Sequence, residues 1–220
     1  MKRNTWIVTL FALAVSFCGC KINLHRGVAG SGHRKTETRE LKSFNAIDTS
    51  GAYEVNLTCQ KPAGFEIEAD DNILPLIRTE VRDGILFVSD SEQYHESKLP
   101  VLRITLPELN SVANHGAGDL KIIDANSNDL RIQSTGAASI DASGKAKSVT
   151  ISCAGAGNID TSRLPAEKAK VDISGAANID VYASEQLDVT VAGVGSVTYS
   201  GNPRVVNKSV SGIGTVNPKN

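Results

Sequence analysis

Six copies of one short pattern recur through the second half of the chain at a nearly constant step. No other feature limits the fold as tightly. They read His115-Gly116-Ala117-Gly118-Asp119-Leu120, Thr135-Gly136-Ala137-Ala138-Ser139-Ile140, Ala154-Gly155-Ala156-Gly157-Asn158-Ile159, Ser174-Gly175-Ala176-Ala177-Asn178-Ile179, Ala192-Gly193-Val194-Gly195-Ser196-Val197 and Ser211-Gly212-Ile213-Gly214-Thr215-Val216. The leading glycines are separated by 20, 19, 20, 18 and 19 residues. A repeat of this length marks a solenoid, whose units bury their apolar faces only against their neighbours.

Offsets from the leading glycine give the backbone. Four residues before it stand Val112, Ile132, Ile151, Val171, Val189 and Lys208; four after it stand Leu120, Ile140, Ile159, Ile179, Val197 and Val216. Apolar residues occupy even offsets, and the odd offsets carry mostly Ser, Thr, Asn or Asp. Period two means strand, so each repeat reads as strand, glycine bend, strand. Glycine suits the bend because it tolerates positive φ and close backbone approach. The expectation is an all-β fold, a right-handed parallel β-helix or β-solenoid with rungs of about 19–20 residues stacked about 4.8 Å apart. No 3.6-period stripe spans the units, so helices are not the repeating element.

The same template fits Gly51, with Ile47 four before, Val55 four after and Leu57 six after. That segment is expected to be an earlier, degenerate rung. Between it and Gly116 the pattern loosens into a strand at 65–69, a helical turn around 73–77, a hairpin about Asp83-Gly84, a polar loop at 89–100 and a strand at 101–106. This stretch is expected to cap the N-terminal end of the stack.

The N-terminus reads as an address. Met1-Lys2-Arg3 is basic, Trp6 to Phe17 is mostly apolar, and Phe17-Cys18-Gly19-Cys20 resembles a bacterial lipoprotein box. The apolar run is too short for a membrane span. Residues 1–19 are expected to be a signal peptide and Cys20 the lipidated first residue, attached to the membrane by acyl chains worth ~0.8 kcal/mol per buried CH₂. Plain signal cleavage, leaving Cys20 an ordinary thiol, is the competing reading. Residues 20–39, rich in Gly, Lys, Arg and His, are expected to form a flexible basic tether. Residues 40–220 then make a single solenoid domain.

Composition removes several function classes. A net charge of −1 and an aromatic content of 5% leave no basic, aromatic platform for nucleic acid and little for broad stacking on sugars. The chain has no Gly-x-Ser-x-Gly elbow, no zinc-ligand pair and no phosphate loop, because neither a helix nor Lys-Ser/Thr follows the Gly-Ala-Gly motifs. No catalytic residue, cofactor or metal is expected. Cys153 falls in an inward column and reads as a buried thiol. A bridge to Cys59 would need Cα atoms within about 7 Å.

One constellation stands out. Five residues after the glycine come Lys121, Asp141, Asp160, Asp180, Thr198 and Asn217. Consecutive rungs would stack three outward carboxylates about 4.8 Å apart. The ordinary expectation is relief by solvent, salt and Lys121. A weak Ca²⁺ site is the sharper one; a glycosidase pair of Asp141 and Asp160 would need a cleft.

These features together resemble the head GIN domain family of auto-transporter adhesins, widespread in Bacteroidota. The resemblance is carried by Phe44-Asn45-Ala46-Ile47, Gly84-Ile85-Leu86, Ile104-Thr105-Leu106-Pro107-Glu108-Leu109, the serial Gly-Ala-Gly motifs and Tyr199-Ser200-Gly201-Asn202-Pro203, over about residues 38–217. It implies a pectin-lyase-like β-helix without the lyase catalytic residues, and a role in adhesion. Ala138 and Ala177 depart from the second glycine, and Lys208 departs from an apolar column, which points to fraying of the last rung.

The functional expectation is a non-catalytic lipoprotein of a Gram-negative outer membrane that presents a repetitive face to a glycan or protein. A periplasmic scaffold and a polysaccharide-active enzyme of the pectin-lyase-like class are the alternatives. Surface and periplasmic orientation are both open, and so is end-to-end pairing of two molecules.

Overall fold

The computed structural model describes residues 27–219, and the signal segment and Cys20 lie outside them. In chain order, β1 (Val28–Ala29) and β2 (Arg34–Thr38) precede β3 (Ala46–Ser50) and β4 (Ala52–Thr58). Then come β5 (Gly64–Asp70), a 3₁₀ turn at Leu74–Leu76, β6 (Ile77–Arg82), β7 (Ile85–Asp90), β8 (Tyr94–His95) and β9 (Val101–Thr105). The repeats form β10 (Ser111–Asn114), β11 (Ala117–Ser134), β12 (Ala137–Cys153), β13 (Ala156–Arg163) and β14 (Ala166–Ile173). They continue as β15 (Ala176–Tyr182), β16 (Gln186–Val191), β17 (Val194–Ser200), β18 (Val205–Val210) and β19 (Ile213–Pro218).

The expected β-solenoid of parallel stacked coils is what these strands build. Ala117 lies opposite Ala137, and the column continues through Ala156, Ala176, Val194 and Ile213. The sequence offset is therefore the pairing register. Its consequence is a column of Leu120, Ile140, Ile159, Ile179 and Val197, each no more than 2% exposed. Val112, Ile132, Ile151, Val171 and Val189 form a second such column. Burying each of these side chains contributes on the order of 2 kcal/mol.

The leading glycines sit where two backbones nearly touch. A Cβ on Gly136 would lie 1.7 Å from the Gly116 carbonyl oxygen, and one on Gly155 would lie 1.9 Å from that of Gly136. Gly175, Gly193 and Gly212 repeat the contact one rung further on each time. Close approach alone excludes a side chain there, because positive φ occurs instead at Gly118 and Gly157, two residues later. A second corner turns each rung elsewhere. In β11 a bulge separates Ile122 from Ala125, with Asp124 at φ 58°, and Gly144 takes φ 132° in the next rung. Left-handed backbone returns at Gly201 (φ 93°) and Asn202 (φ 54°) but at no described residue of this corner in the two rungs between, so this corner leaves no fixed letter in the repeat.

The N-terminal end is capped as expected, but its layers are not in chain order. β3 pairs with β10 along one edge and with β7 along the other; β4 likewise pairs with β11 and β9. The Gly51 rung is thus an internal layer, and the layer beyond it comes from residues 85–105, later in sequence. Antiparallel strands then close the parallel stack: β6 on β7, β5 on β9, and β2 on β5. The β6–β7 hairpin turns through Asp83 (φ 51°) and Gly84 (φ 76°), as a two-residue turn with both φ positive requires.

The flexible tether expected over 20–39 is corrected where the structure describes it. β1 pairs with β8, and β2 pairs antiparallel with β5. Composition misreads this strap because it has few apolar residues to bury. It is held instead by backbone pairing and by two arginines. Arg34 donates from Nη2 to the carbonyls of Glu68 (2.9 Å) and Leu99 (3.1 Å). Arg39 donates to the carbonyls of Ile77 (2.7 Å) and Leu74 (3.0 Å). Hydrogen bonds from Arg103 and Arg34 hold the Glu68 carboxyl below its ordinary range.

Beneath the strap the Glu96 side chain is 2% exposed. Its Oε2 accepts the Asp70 N–H at 3.2 Å, while Oε1 is buried without a partner. Burial pushes this carboxyl up from its ordinary value. The ionised form therefore costs stability. The cost is absent below the unfolded-state pKa of about 4.3 and grows as pH rises through the folded-state value. Glu96→Gln is expected to raise the urea midpoint at pH 7.5 and to leave it unchanged at pH 3.5.

At the C-terminal end, among the described residues, β18 pairs only with β16 and β19 only with β17. The last rung is formed. Lys208, the polar residue in the apolar column, donates from Nζ to the Val216 carbonyl at 2.7 Å, with its ammonium 5.1 Å from the Tyr199 ring centroid. Cys59 and Cys153 are both free and buried, so no bridge joins them. Burial pushes the Cys59 thiol up to about 11.

Candidate binding surface

Outward side chains stack one rung apart, so each odd offset becomes a ladder. Three residues past the glycine, Ser139, Asn158, Asn178 and Ser196 share a column. Asn178 Nδ2 donates to Asn158 Oδ1 at 3.2 Å, and the Ser196 hydroxyl donates to Asn178 Oδ1 at 2.8 Å. His115 continues the theme before the bend, its Nδ1 lying 2.8 Å from the Thr135 hydroxyl.

The aspartate column forms in register: Asp141 faces Asp160, and Asp160 faces Asp180. Its charge is relieved differently from expectation. Arg163, not Lys121, pairs with the column, with Nη2 2.5 Å from Asp141 Oδ1. The register shift between Asp141 and Ser143 sets Arg163 opposite Ser143, beside Asp141. Burial pulls the Asp160 carboxyl upward, but hydrogen bonds from Ser162 and the charges of Arg163 and Lys219 outweigh it and hold the group below its ordinary range. Among the described residues no group of three His, Cys, Asp or Glu is arranged to hold a metal ion.

The face ahead of the glycines differs in character. One ladder runs Ser111, Arg131, Thr150, Lys170, Asp188 and Asn207; beside it runs Asp129, Ser148, Lys168 and Gln186. Near the N-terminal end this face is concave. A groove of about 460 Å³ is lined by Glu108, Asn110, Asp129, Arg131, Ser148 and Thr150, among others. A second, also of about 460 Å³, includes Asn126, Lys145, Lys147 and Glu167. The two share Glu108 and Asn128. Glu108 comes from the linker between β9 and β10, and the Arg131 N–H bonded to the Asn110 carbonyl at 2.9 Å ties that linker to β11.

Sequence reading missed this concavity because its wall and floor belong to different rungs. The leading glycines lie at close backbone approaches outside its lining. Cys20 lies outside the described residues.

The comparisons agree with this geometry. The family model described as "Putative auto-transporter adhesin, head GIN domain" matches residues 43–203. The crystal structure of a "putative adhesin" from Bacteroides fragilis is 28% identical, covers 88% of this chain and 100% of its own, and superposes with a TM-score of 0.70. A "putative adhesin" from Parabacteroides distasonis, at 16% identity with 87% and 99% covered, shares the fold with a TM-score of 0.56. No curated protein matches the sequence.

Proposed function

The chain belongs to the head GIN domain family of auto-transporter adhesins, and from that premise we propose that it is an envelope-anchored adhesin acting by binding rather than turnover. The observation that carries the reading is the registered outward ladders, which present one polar side chain per rung along the stack, its identity varying from rung to rung. A surface of that kind suits a repetitive glycan or an extended protein, held by many weak contacts whose avidity exceeds any one of them.

In this reading residues 1–19 direct export and Cys20 carries the lipid that holds the protein in the outer membrane. The ordered domain then begins at the strap rather than at residue 40. The unpaired outer edges of β18 and β19 are where a second copy would join; sedimentation showing only monomer at high micromolar concentration would remove that element.

The decisive test is protease accessibility on intact against permeabilised cells. Digestion of the domain on intact cells is the expected result. Protection until permeabilisation would overturn the adhesin reading and favour a periplasmic scaffold.

A further inference from the structure

We propose that the two joined grooves meeting at Glu108 and Asn128 are the ligand site of this adhesin, and that they take a neutral, hydroxyl-rich polysaccharide. The proposal rests on the adhesin reading and adds to it a place and a ligand class. The grooves are open and contiguous, which suits a segment of a polymer chain rather than an enclosed small molecule. Each volume falls within the range of about 300–1,000 Å³ typical of ligand sites.

The chemistry of the lining selects the ligand. Arg131, Lys145 and Lys147 offer donors, and Glu108, Asp129 and Glu167 offer acceptors. Three cations face three carboxylates, so the grooves carry no net charge with which to attract an acidic polymer. A sugar hydroxyl both donates and accepts, and a pair of neighbouring hydroxyls spans one carboxylate or one guanidinium. The mixture of groups therefore complements neutral sugar better than it complements a polyanion, which would lie against Glu108 and Asp129.

The state of these side chains is the second argument. Among the described residues, Glu108, Asn128, Arg131, Lys145 and Lys147 make no side-chain hydrogen bond or ion pair within the protein. The aspartate column on the other face contrasts with them, since Arg163 and Ser162 already occupy it. Uncommitted polar groups over a rigid floor can exchange water for ligand without first breaking a bond inside the protein, the ordering of their side chains being the cost. The floor is rigid because Thr150 and Ser148 sit in paired strands and the Ser148 hydroxyl donates to Asp129. No aromatic residue is among the lining residues. Stacking is absent, so single-site affinity is weak, on the order of 1 mM, and useful attachment comes from many copies.

The test is ligand-observed NMR on the full mature chain in detergent micelles, with neutral hexasaccharides of glucose and of mannose and an oligouronate of equal length. Saturable binding of a neutral hexasaccharide is expected, weaker for the oligouronate. Asn128→Ala and Arg131→Ala should each weaken binding about tenfold, one lost charge-assisted or bidentate contact, with an unchanged melting temperature. Arg78→Ala, exposed on the capping hairpin of β6 and β7 and outside the ladders and both grooves, should leave binding unaltered. Binding that survives both groove substitutions, that falls with Arg78→Ala, or that prefers the oligouronate would overturn the assignment. So would the absence of binding to any neutral hexasaccharide. None of those results disturbs the adhesin reading, which fails separately if intact cells protect the domain from protease.

Discussion

Gly136→Ala is expected to destabilise the domain by about 4 kcal/mol, far more than adding one methyl group normally costs. The added carbon would lie 1.7 Å from the Gly116 carbonyl oxygen and 2.9 Å from the His115 carbonyl carbon. These obstacles are backbone atoms held in register by the strands on both sides of the corner, so no rotamer change relieves the clash. The rungs would have to separate locally, weakening the bond from the Ala137 N–H to the Gly116 carbonyl (2.9 Å) and the packing of Ile132 and Ile140 on their neighbours. Ser139→Ala, three residues away and exposed, should stay within about 0.5 kcal/mol of the parent. Urea titration of both variants checks this. A loss below about 1 kcal/mol in Gly136→Ala would mean that the corner is plastic and that close approach is not what requires glycine.

Arg39→Ala is the second substitution with a large expected effect, about 3 kcal/mol. Its guanidinium bonds the carbonyls of Ile77 and Leu74, reaches the Thr79 hydroxyl at 3.3 Å and pairs with Glu37 at 2.6 Å, in a site where its side chain is 16% exposed. Truncation leaves two carbonyls without a charged donor, and hydrogen bonds to charged groups contribute about 1.5–3 kcal/mol each. Arg39→Lys should recover only a small part, because one ammonium cannot present the planar fork that spans both carbonyls. Native-state hydrogen exchange should show β2 amides losing protection before those of β11 and β12. Equal loss of protection throughout would mean that strap and solenoid unfold as one unit.

The repeat made most of the solenoid legible. Alternation assigned Leu120, Ile140, Ile159 and Ile179 to the interior, and all are buried. The glycine offsets proved to be the pairing register. Local steric rules suffice for this, because every rung repeats the environment of the one before. The second corner escaped because its left-handed residues, Asp124, Gly144, Gly201 and Asn202, change letter and position between rungs and do not occur there in the two rungs between. The strap escaped because Arg34, Lys35, Thr36, Glu37 and Thr38 look like a solvated linker until a free strand edge is placed beside them.

Chain-local information thus settled the fold class, the inward columns and the position of the glycine corner, since side-chain alternation and exclusion of a Cβ act over a few residues. Three matters were decided only by the folded stack. The layer from residues 85–105 lies beyond the Gly51 rung because that edge of β3 and β4 was open to it. Arg163 neutralises Asp141 because a register shift carries it across one rung. The grooves exist because the Glu108 linker folds over β11 and β12. Each depends on which backbone edge is free and which rung lies next to it, and those are properties of the assembled coil rather than of any stretch of its sequence.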